Sequence, residues 1–440
     1  MKLTKIATVL LFLSPAYLSA AIQDFTYHNG YKITADQASP EVNIRIKDNK
    51  PTQSISTPNS NGISHNYFTE FNVGKNGLNI DNSPSARVII NEVTGTNISQ
   101  LDGTVAIIGK QASLVIANPN GISCNNCGVS NISHLTLLAG NTSPDITTGK
   151  LTGFKNITND VIVNNVRKNA IKSKLTLTGK NIELKNSYLN SPEIITNVGI
   201  DAIDLSNTLQ SQIADVNSNK EAKGYNSHTQ PSLTIDSDTK IRGNLLVNAD
   251  NATVINDGNI ISSNINLNLM DSEFSNDGYL KSSKMNINSK DAWINNNKKL
   301  SVNNLNINYR GDLNINNRKE ADSDSFSAKK IVLNSRNVGQ HAKNSKISNK
   351  TYFVDNSLKI KNYGDFLFSQ LRIDGNQYDD VLIVNEGTIL SDKIGIKANA
   401  ITVYNNDIFL VRSEFDDHTN NGFYDFGNKK ITMPEYNTNM

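Results

Sequence analysis

The sequence is poor in the residues that would place it quickly. Cysteine occurs twice, tryptophan once and proline ten times in 440 residues. So little proline disfavours a polyproline stalk or a proline-rich linker. Hydrophobic residues make up 37% and charged residues 19%, a balance that fits neither a multispan membrane protein nor a high-charge disordered chain. The formal net charge of +2 falls to zero once the first 20 residues, with Lys2 and Lys5 and no acid, are set aside. No strong Lys/Arg run remains, so nucleic acid is not an expected partner.

What is present begins with a leader. Residues 1–20 combine a short positive start, an apolar stretch from Ile6 to Leu13 and small residues at Ala16, Ser19, Ala20 and Ala21. That is a secretory signal peptide with cleavage expected near Ala20 or Ala21. The apolar stretch is too short for a retained anchor, and no later segment has spanning length, so no stable transmembrane segment is expected in the mature chain.

Beyond the leader the hydrophobic period is two. Ile265, Leu267 and Leu269 alternate with asparagine, as do Met285 with Ile287, Leu305 with Ile307 and Leu313 with Ile315. Leu245, Ile265, Met285 and Leu305 recur at intervals of 20, and Val247, Leu267, Ile287 and Ile307 repeat that interval two places on. Alternation of this kind reads as β-strand, and the long repeat is about one coil of a parallel β-helix that buries its aliphatic row against neighbouring coils. The alternating asparagines have two readings, ladders bonded along the axis or solvated polar positions, and solvation is the simpler expectation for any one of them. If nearly all the mature chain coils at this pitch, the rod is on the order of 100 Å long.

The strongest motifs lie in the amino-terminal half: Asn61-Gly62-Ile63 before Tyr67-Phe68, then Asn91-Glu92, then Asn118-Pro119-Asn120-Gly121-Ile122, and the Cys124/Cys127 pair followed by Gly128. From about Ile22 to roughly Gly149 these strongly resemble the secretion domain of filamentous-haemagglutinin-type exoproteins of two-partner secretion systems, with their haemolysin and contact-dependent-inhibition relatives. The resemblance implies an all-β fold, a right-handed parallel β-helix (a single-stranded pectin-lyase-like solenoid) with an N-terminal β cap and short antiparallel additions. It also implies recognition in the periplasm by the POTRA domains of an Omp85-type outer-membrane barrel, which passes the unfolded chain outside. Asn118 to Ile122 carry one family motif, Asn91 and Glu92 another, and Asn61, Gly62 and Ile63 a further candidate element.

The same residues have a plainer reading. Asn-Pro-Asn-Gly is a strong turn, in which Pro119 fixes φ and Gly121 accepts positive φ before Ile122 returns to the core. A mainly structural role is expected, with direct transporter contact as the alternative. For Cys124 and Cys127 a redox centre, half of a metal site and a local disulfide are all open. A zinc site would need two more ligands, with His65 and His134 nearest in sequence and no spacing to assemble them. Export permits the disulfide, and the resemblance implies it.

No catalytic constellation emerges. Asp236, Asp238, Asp250 and Asp257 could serve a polysaccharide-cleaving β-helix but equally suit solvated turns. Asp322-Ser-Asp324 and Asp379-Asp380 lack any calcium-loop pattern. No cofactor or metal is therefore expected.

The organisation reads as a signal peptide at 1–20, a cap and first coils at 21–156, and coils at 157–320 with an excursion near 210–231. Further coils at 321–440 end in an irregular tail, with the strand signal fading near Phe409 to Val411. Family exoproteins are commonly much longer, which leaves a short adhesin, a truncated product or a transporter decoy open. The expectation is a non-enzymatic exoprotein, secreted or surface-associated in a Gram-negative bacterium by way of the periplasm. It would act as a haemagglutinin-like adhesin for a host or bacterial surface receptor. The alternatives are a haemolysin-like protein, a biofilm matrix component or a truncated contact-dependent-inhibition stalk.

Overall fold

The computed structural model describes residues 24–47, 50–145, 147–205, 230–319, 325–335, 356–376 and 379–425. The leader at 1–20, nearly all of the 210–231 excursion and the tail beyond 425 lie outside these residues.

The chain folds as an all-β, largely parallel solenoid of about 14 turns with separate N-terminal sheets. One inward position can be followed through the whole stack. Ser64 pairs with Ile89, then Leu114, Leu135, Leu175 and Ile194. The line continues through Leu245, Ile265, Met285, Leu305, Ile331, Leu371, Ile394 and Phe415. The 20-residue interval of the sequence is thus the register of the sheet, and each aliphatic sits on the one a coil earlier. At about 4.8 Å per rung, about 14 turns give a stack of roughly 65 Å. This is shorter than the length expected from uniform coiling, because part of the chain leaves the coil path. Asn141–Pro144, Leu151–Lys155 and Ile203–Asp204 form an antiparallel sheet of their own.

The amino-terminal end is closed. Asp24–Thr26 pairs antiparallel with Lys32–Ala35, which pairs antiparallel with the first long strand, Ile63–Phe71. Ile33, Phe68 and Phe71 are buried beneath. A strand running against the coil direction covers a ladder edge that would otherwise invite pairing with another chain. A second sheet carries the third face of the first coils. It starts with the antiparallel hairpin of Ile44–Lys47 and Lys50–Ser54 and continues in parallel through Leu78–Asn82, Thr104–Gly109 and Gly128–Ser130.

Two expectations change. The strand does not fade at Phe409–Val411: Ile408–Asp425 runs on, paired with Thr388–Asn405 through Tyr404 and Asp425. Backbone ladder bonds carry it across Glu414, Asp416 and Asp417, where the side-chain pattern gives no apolar signal. Ladders bonded along the axis are also the better reading for alternating asparagines such as Asn266, Asn286 and Asn306, which bond one to the next, and a further set stands at inward positions. Asn256, Asn276, Asn296, Asn317, Asn362, Asn385 and Asn405 form a buried column. Each side-chain amide donates to the next carbonyl oxygen at 2.6–2.8 Å. Identical amides stacked at the rung spacing satisfy one another, so the polar atoms tolerate burial. On another face Asn288, Asn268, Asn248 and Asn197 are likewise linked.

Candidate functional site

The motif residues lie on the first coils, on or at the two ends of the face built by the adjacent strands Ile63–Phe71, Val88–Val93 and Ala112–Ala117. Alternation turns Asn91 inward and Glu92 outward. Asn91 is fully buried among amides: it exchanges two hydrogen bonds of 3.0 Å with Gln53 and accepts one of 3.2 Å from Asn66 Nδ2. Asn66 also donates to the Ile90 carbonyl and accepts from the Ser56 N–H. This closed network joins three chain segments inside the coil, so removing one member would strand the others.

Glu92 faces the antiparallel hairpin that lies over the same strands. His65 Nε2 donates to its carboxylate at 2.8 Å, Asn141 Nδ2 at 3.1 Å and the Thr142 N–H at 3.3 Å, with the Thr142 hydroxyl as a further donor. Burial pushes the Glu92 carboxyl up, but the hydrogen bonds from His65, Thr142 and Asn141 and the His65 charge outweigh it and hold it below its ordinary value. Beneath the hairpin is a second apolar cluster, in which Ile90, Val115, Ala117 and Leu138 of the coil meet Phe154 and Ile203 of the added strands.

The other end of the hairpin is held by the first motif. Asn61 Nδ2 donates to the Thr148 carbonyl at 3.0 Å, and Asn59 Nδ2 to the Gly149 carbonyl at 2.9 Å. Asn59 Oδ1 shapes the turn by accepting from the Asn61 and Ile63 N–H groups. Gly62 presents its carbonyl to the N–H groups of Arg87 and Val88, and Ile63 packs against the second cluster. Asn61 and Glu92 thus grip opposite ends of one hairpin along one face.

Asn118 to Ile122 staple successive coil corners. Asn118 is fully buried and donates to the Asn97 carbonyl and to Ser99 Oγ. Its Oδ1 accepts from the Asn120 N–H and side chain, and Asn120 Nδ2 also reaches the Gly95 carbonyl at 2.8 Å. From the next coil, Asn159 donates to the Pro119 carbonyl at 2.7 Å. Gly121 has φ +111 and would bring a Cβ within 3.1 Å of the Asp160 carbonyl oxygen, so the turn needs glycine. Ile122 enters the core, paired with Ser99 and Val161.

Cys124 and Cys127 are bonded to each other and buried, with Cα atoms 5.3 Å apart. The bond spans a corner at which Asn126 has φ +58. His65 is engaged with Glu92, and His134 Nε2 lies 2.8 Å from Thr176 Oγ1; neither approaches a thiol ligand set. Among the described residues no group of three or more His, Cys, Asp or Glu is placed to hold a metal, and no helix is long and apolar enough to cross a membrane. Of the turn acids singled out, Asp236 accepts from the Asn186 N–H and serves a coil corner.

Sequence reasoning found the motif residues but not their partners Gln53, Asn66, Asn141, Thr142 and Arg87. Asn66 alone left a trace, since it stands at an inward position in the alternation Ser64, Asn66, Phe68.

A family profile described as the TPS secretion domain matches residues 31–383. Over 112 residues the chain is 40% identical to "16S rRNA endonuclease CdiA" of Enterobacter cloacae subsp. cloacae, a match covering 20% of this chain and 3% of that protein. It is 31% identical over 222 residues to "Hemolysin" of Proteus mirabilis, covering 46% of this chain and 14% of that protein. The crystal structure of a filamentous hemagglutinin secretion domain aligns with a TM-score of 0.42 at 21% identity, covering 68% of this chain and 96% of that one. The chain therefore spans only a small part of the length of these curated relatives.

Proposed function

Because the chain belongs to the TPS secretion domain family, we propose that it is an exoprotein carried across the outer membrane by a cognate Omp85-type barrel, whose POTRA domains receive it in the periplasm. The observation that carries this reading is the family match itself, which runs from residue 31 in the cap to residue 383, through most of the coils.

In this reading residues 1–20 direct export to the periplasm and are removed. Residues 21–156 act in secretion, and the coils at 157–320 and 321–440 are displayed outside as a haemagglutinin-like adhesin surface. The solenoid takes the right-handed sense, as parallel β crossovers almost always do, and with it the pectin-lyase-like form. Asn61, Gly62, Ile63, Asn91, Glu92 and Asn118 to Ile122 act in secretion chiefly by shaping this end of the solenoid. Their polar atoms are largely engaged within the chain, which supports that role over direct contact with the barrel.

A haemolysin-like role is the second reading, favoured by the likeness to the Proteus mirabilis protein and by the Cys124/Cys127 pair. Release of the mature protein, measured with and without the cognate barrel while periplasmic accumulation is followed, tests the export reading. Barrel-independent release would overturn it. Saturable attachment to one cell type without lysis would favour adhesion, whereas lysis of red cells by the released protein would favour the second reading.

A further inference from the structure

Coiling gathers a concentration of positive charge that the sequence scatters. Along one corner of the stack runs an open groove of about 630 Å³, with Lys75, Arg167 and Lys240 on its walls and Asp238 as its one carboxylate. These three cations are separated by many residues in the chain and lie beside one another only because coils stack. None of the three has an ion-pair partner among the described residues. Tyr188 also lines the groove. Lys168 Nζ lies 5.5 Å and the Arg242 guanidinium 5.9 Å from its ring centroid, so five cationic groups cluster here on a chain whose formal net charge is +2.

The floor is an asparagine row running along the axis. Asn165 Nδ2 donates to Asn125 Oδ1 at 2.9 Å, and Asn186 Nδ2 to Asn165 Oδ1 at 2.7 Å. Beside the row, Asn126 also lines the groove, and its side chain makes no hydrogen bond among the described residues. Cations on the walls, amides on the floor and one aromatic ring form a surface for a linear ligand that carries both anions and hydroxyls.

We propose that this groove binds an acidic polysaccharide, laid along the solenoid axis with its carboxylates or sulfates on Lys75, Arg167 and Lys240 and a sugar ring against Tyr188. Single-stranded nucleic acid fits less well, since its sequence-independent readers stack successive bases on several aromatics and the groove offers one. The proposal deepens the surface-display reading and rests on it for the setting in which the ligand is met. Binding is measured on purified protein, so failure of the groove and failure of the export reading are separate outcomes.

The test uses the purified mature chain with fluorescein-labelled dextran sulfate, polygalacturonate, neutral dextran and a single-stranded oligonucleotide, over a salt series. Lys75→Gln/Arg167→Gln/Lys240→Gln is expected to weaken binding of at least one anionic polysaccharide at least tenfold and to flatten its salt dependence. Lys281→Gln/Lys284→Gln/Lys359→Gln, of equal charge change elsewhere, should alter it less than twofold, and neutral dextran should not bind. The sulfate and carboxylate arms identify which anion is preferred. Tyr188→Ala, which leaves the three wall cations in place, should weaken binding several-fold. Equal losses in the two triple variants, or tighter binding of the oligonucleotide than of either acidic polysaccharide, would overturn the proposal.

Discussion

Asn296 stands in the middle of the buried amide column, where the solenoid is most exposed to a single change. Its Oδ1 accepts from Asn276, and its Nδ2 donates to the Lys298 carbonyl and to Asn317 Oδ1, all at 2.8 Å. Truncation by Asn296→Ala leaves Asn317 Oδ1 without its donor and Asn276 Nδ2 without this acceptor inside the buried column, while the Lys298 carbonyl lies at a partly exposed corner where water can replace the lost bond. At about 1–3 kcal/mol for each unsatisfied buried group, the two column groups give an expected loss of about 2–4 kcal/mol. Asn276 Nδ2 has further acceptors at the Gly278 and Lys299 carbonyls, 3.4 and 3.3 Å away, so its own loss is partly offset. Asn286 is the control, because it joins a ladder of the same kind, bonded to Asn266 at 2.8 Å and Asn306 at 3.2 Å, on the partly exposed face. Water can replace its bonds, and Asn286→Ala should cost below about 1 kcal/mol. Urea unfolding followed by circular dichroism gives the two values. Amide hydrogen exchange shows whether the damage is centred on neighbouring coils, as nearest-neighbour coupling in a solenoid requires. Equal costs for the two variants would refute the argument that burial of the column, rather than amide stacking as such, stabilises the coils.

Three further outcomes follow from the motif site. The Glu92 carboxyl is held below its ordinary value when folded, so the stability it contributes is present above the unfolded value of about 4.3 and is lost as pH falls through the folded value. The urea midpoint of Glu92→Gln should therefore change less below about pH 4 than that of the unaltered protein, and equal slopes would contradict the clasp. Cys124→Ser/Cys127→Ser closes no long loop and should lower stability by about 2 kcal/mol or less, leaving release largely intact; complete loss of folding would contradict this. Gly121→Ala must hold positive φ and crowd the Asp160 carbonyl, and a fall in unfolding free energy of about 1–3 kcal/mol is expected, whereas an unchanged midpoint would show that the turn relaxes freely.

The solenoid was legible because its signal is repetitive. Leu245, Ile265, Met285 and Leu305 stand in the sheet register that their spacing predicts. The buried asparagine column was not legible, since alternation labels an asparagine polar whether it meets water or the amide of the next coil. Asn296 stands in phase with the inward Ile294 and Asn286 out of phase with Met285 and Ile287, yet residue type alone marks both as polar. The motif residues could be read from their pattern, but the partners of Asn61 and Glu92 depend on the hairpin folding back from 141–155, and those of Asn91 and Asn118 on neighbouring coils, contacts between distant segments that local chemistry does not encode. The end of the last strand was missed for a related reason: from Glu414 to Asp425 pairing with the preceding coil, rather than apolar periodicity, maintains the strand.

On the proposed reading, the motif residues serve secretion by building and clasping the first coils. The most direct measurement sets release through the cognate barrel against unfolding free energy for Asn61→Ala, Glu92→Gln, Asn120→Ala and Gly121→Ala, expressed at matched levels. Release should fall in step with stability, so that the four variants lie on the line defined by core substitutions such as Leu245→Ala. An Asn120→Ala chain that keeps its stability but is not released would contradict it, and would make that side chain a contact for the transporter.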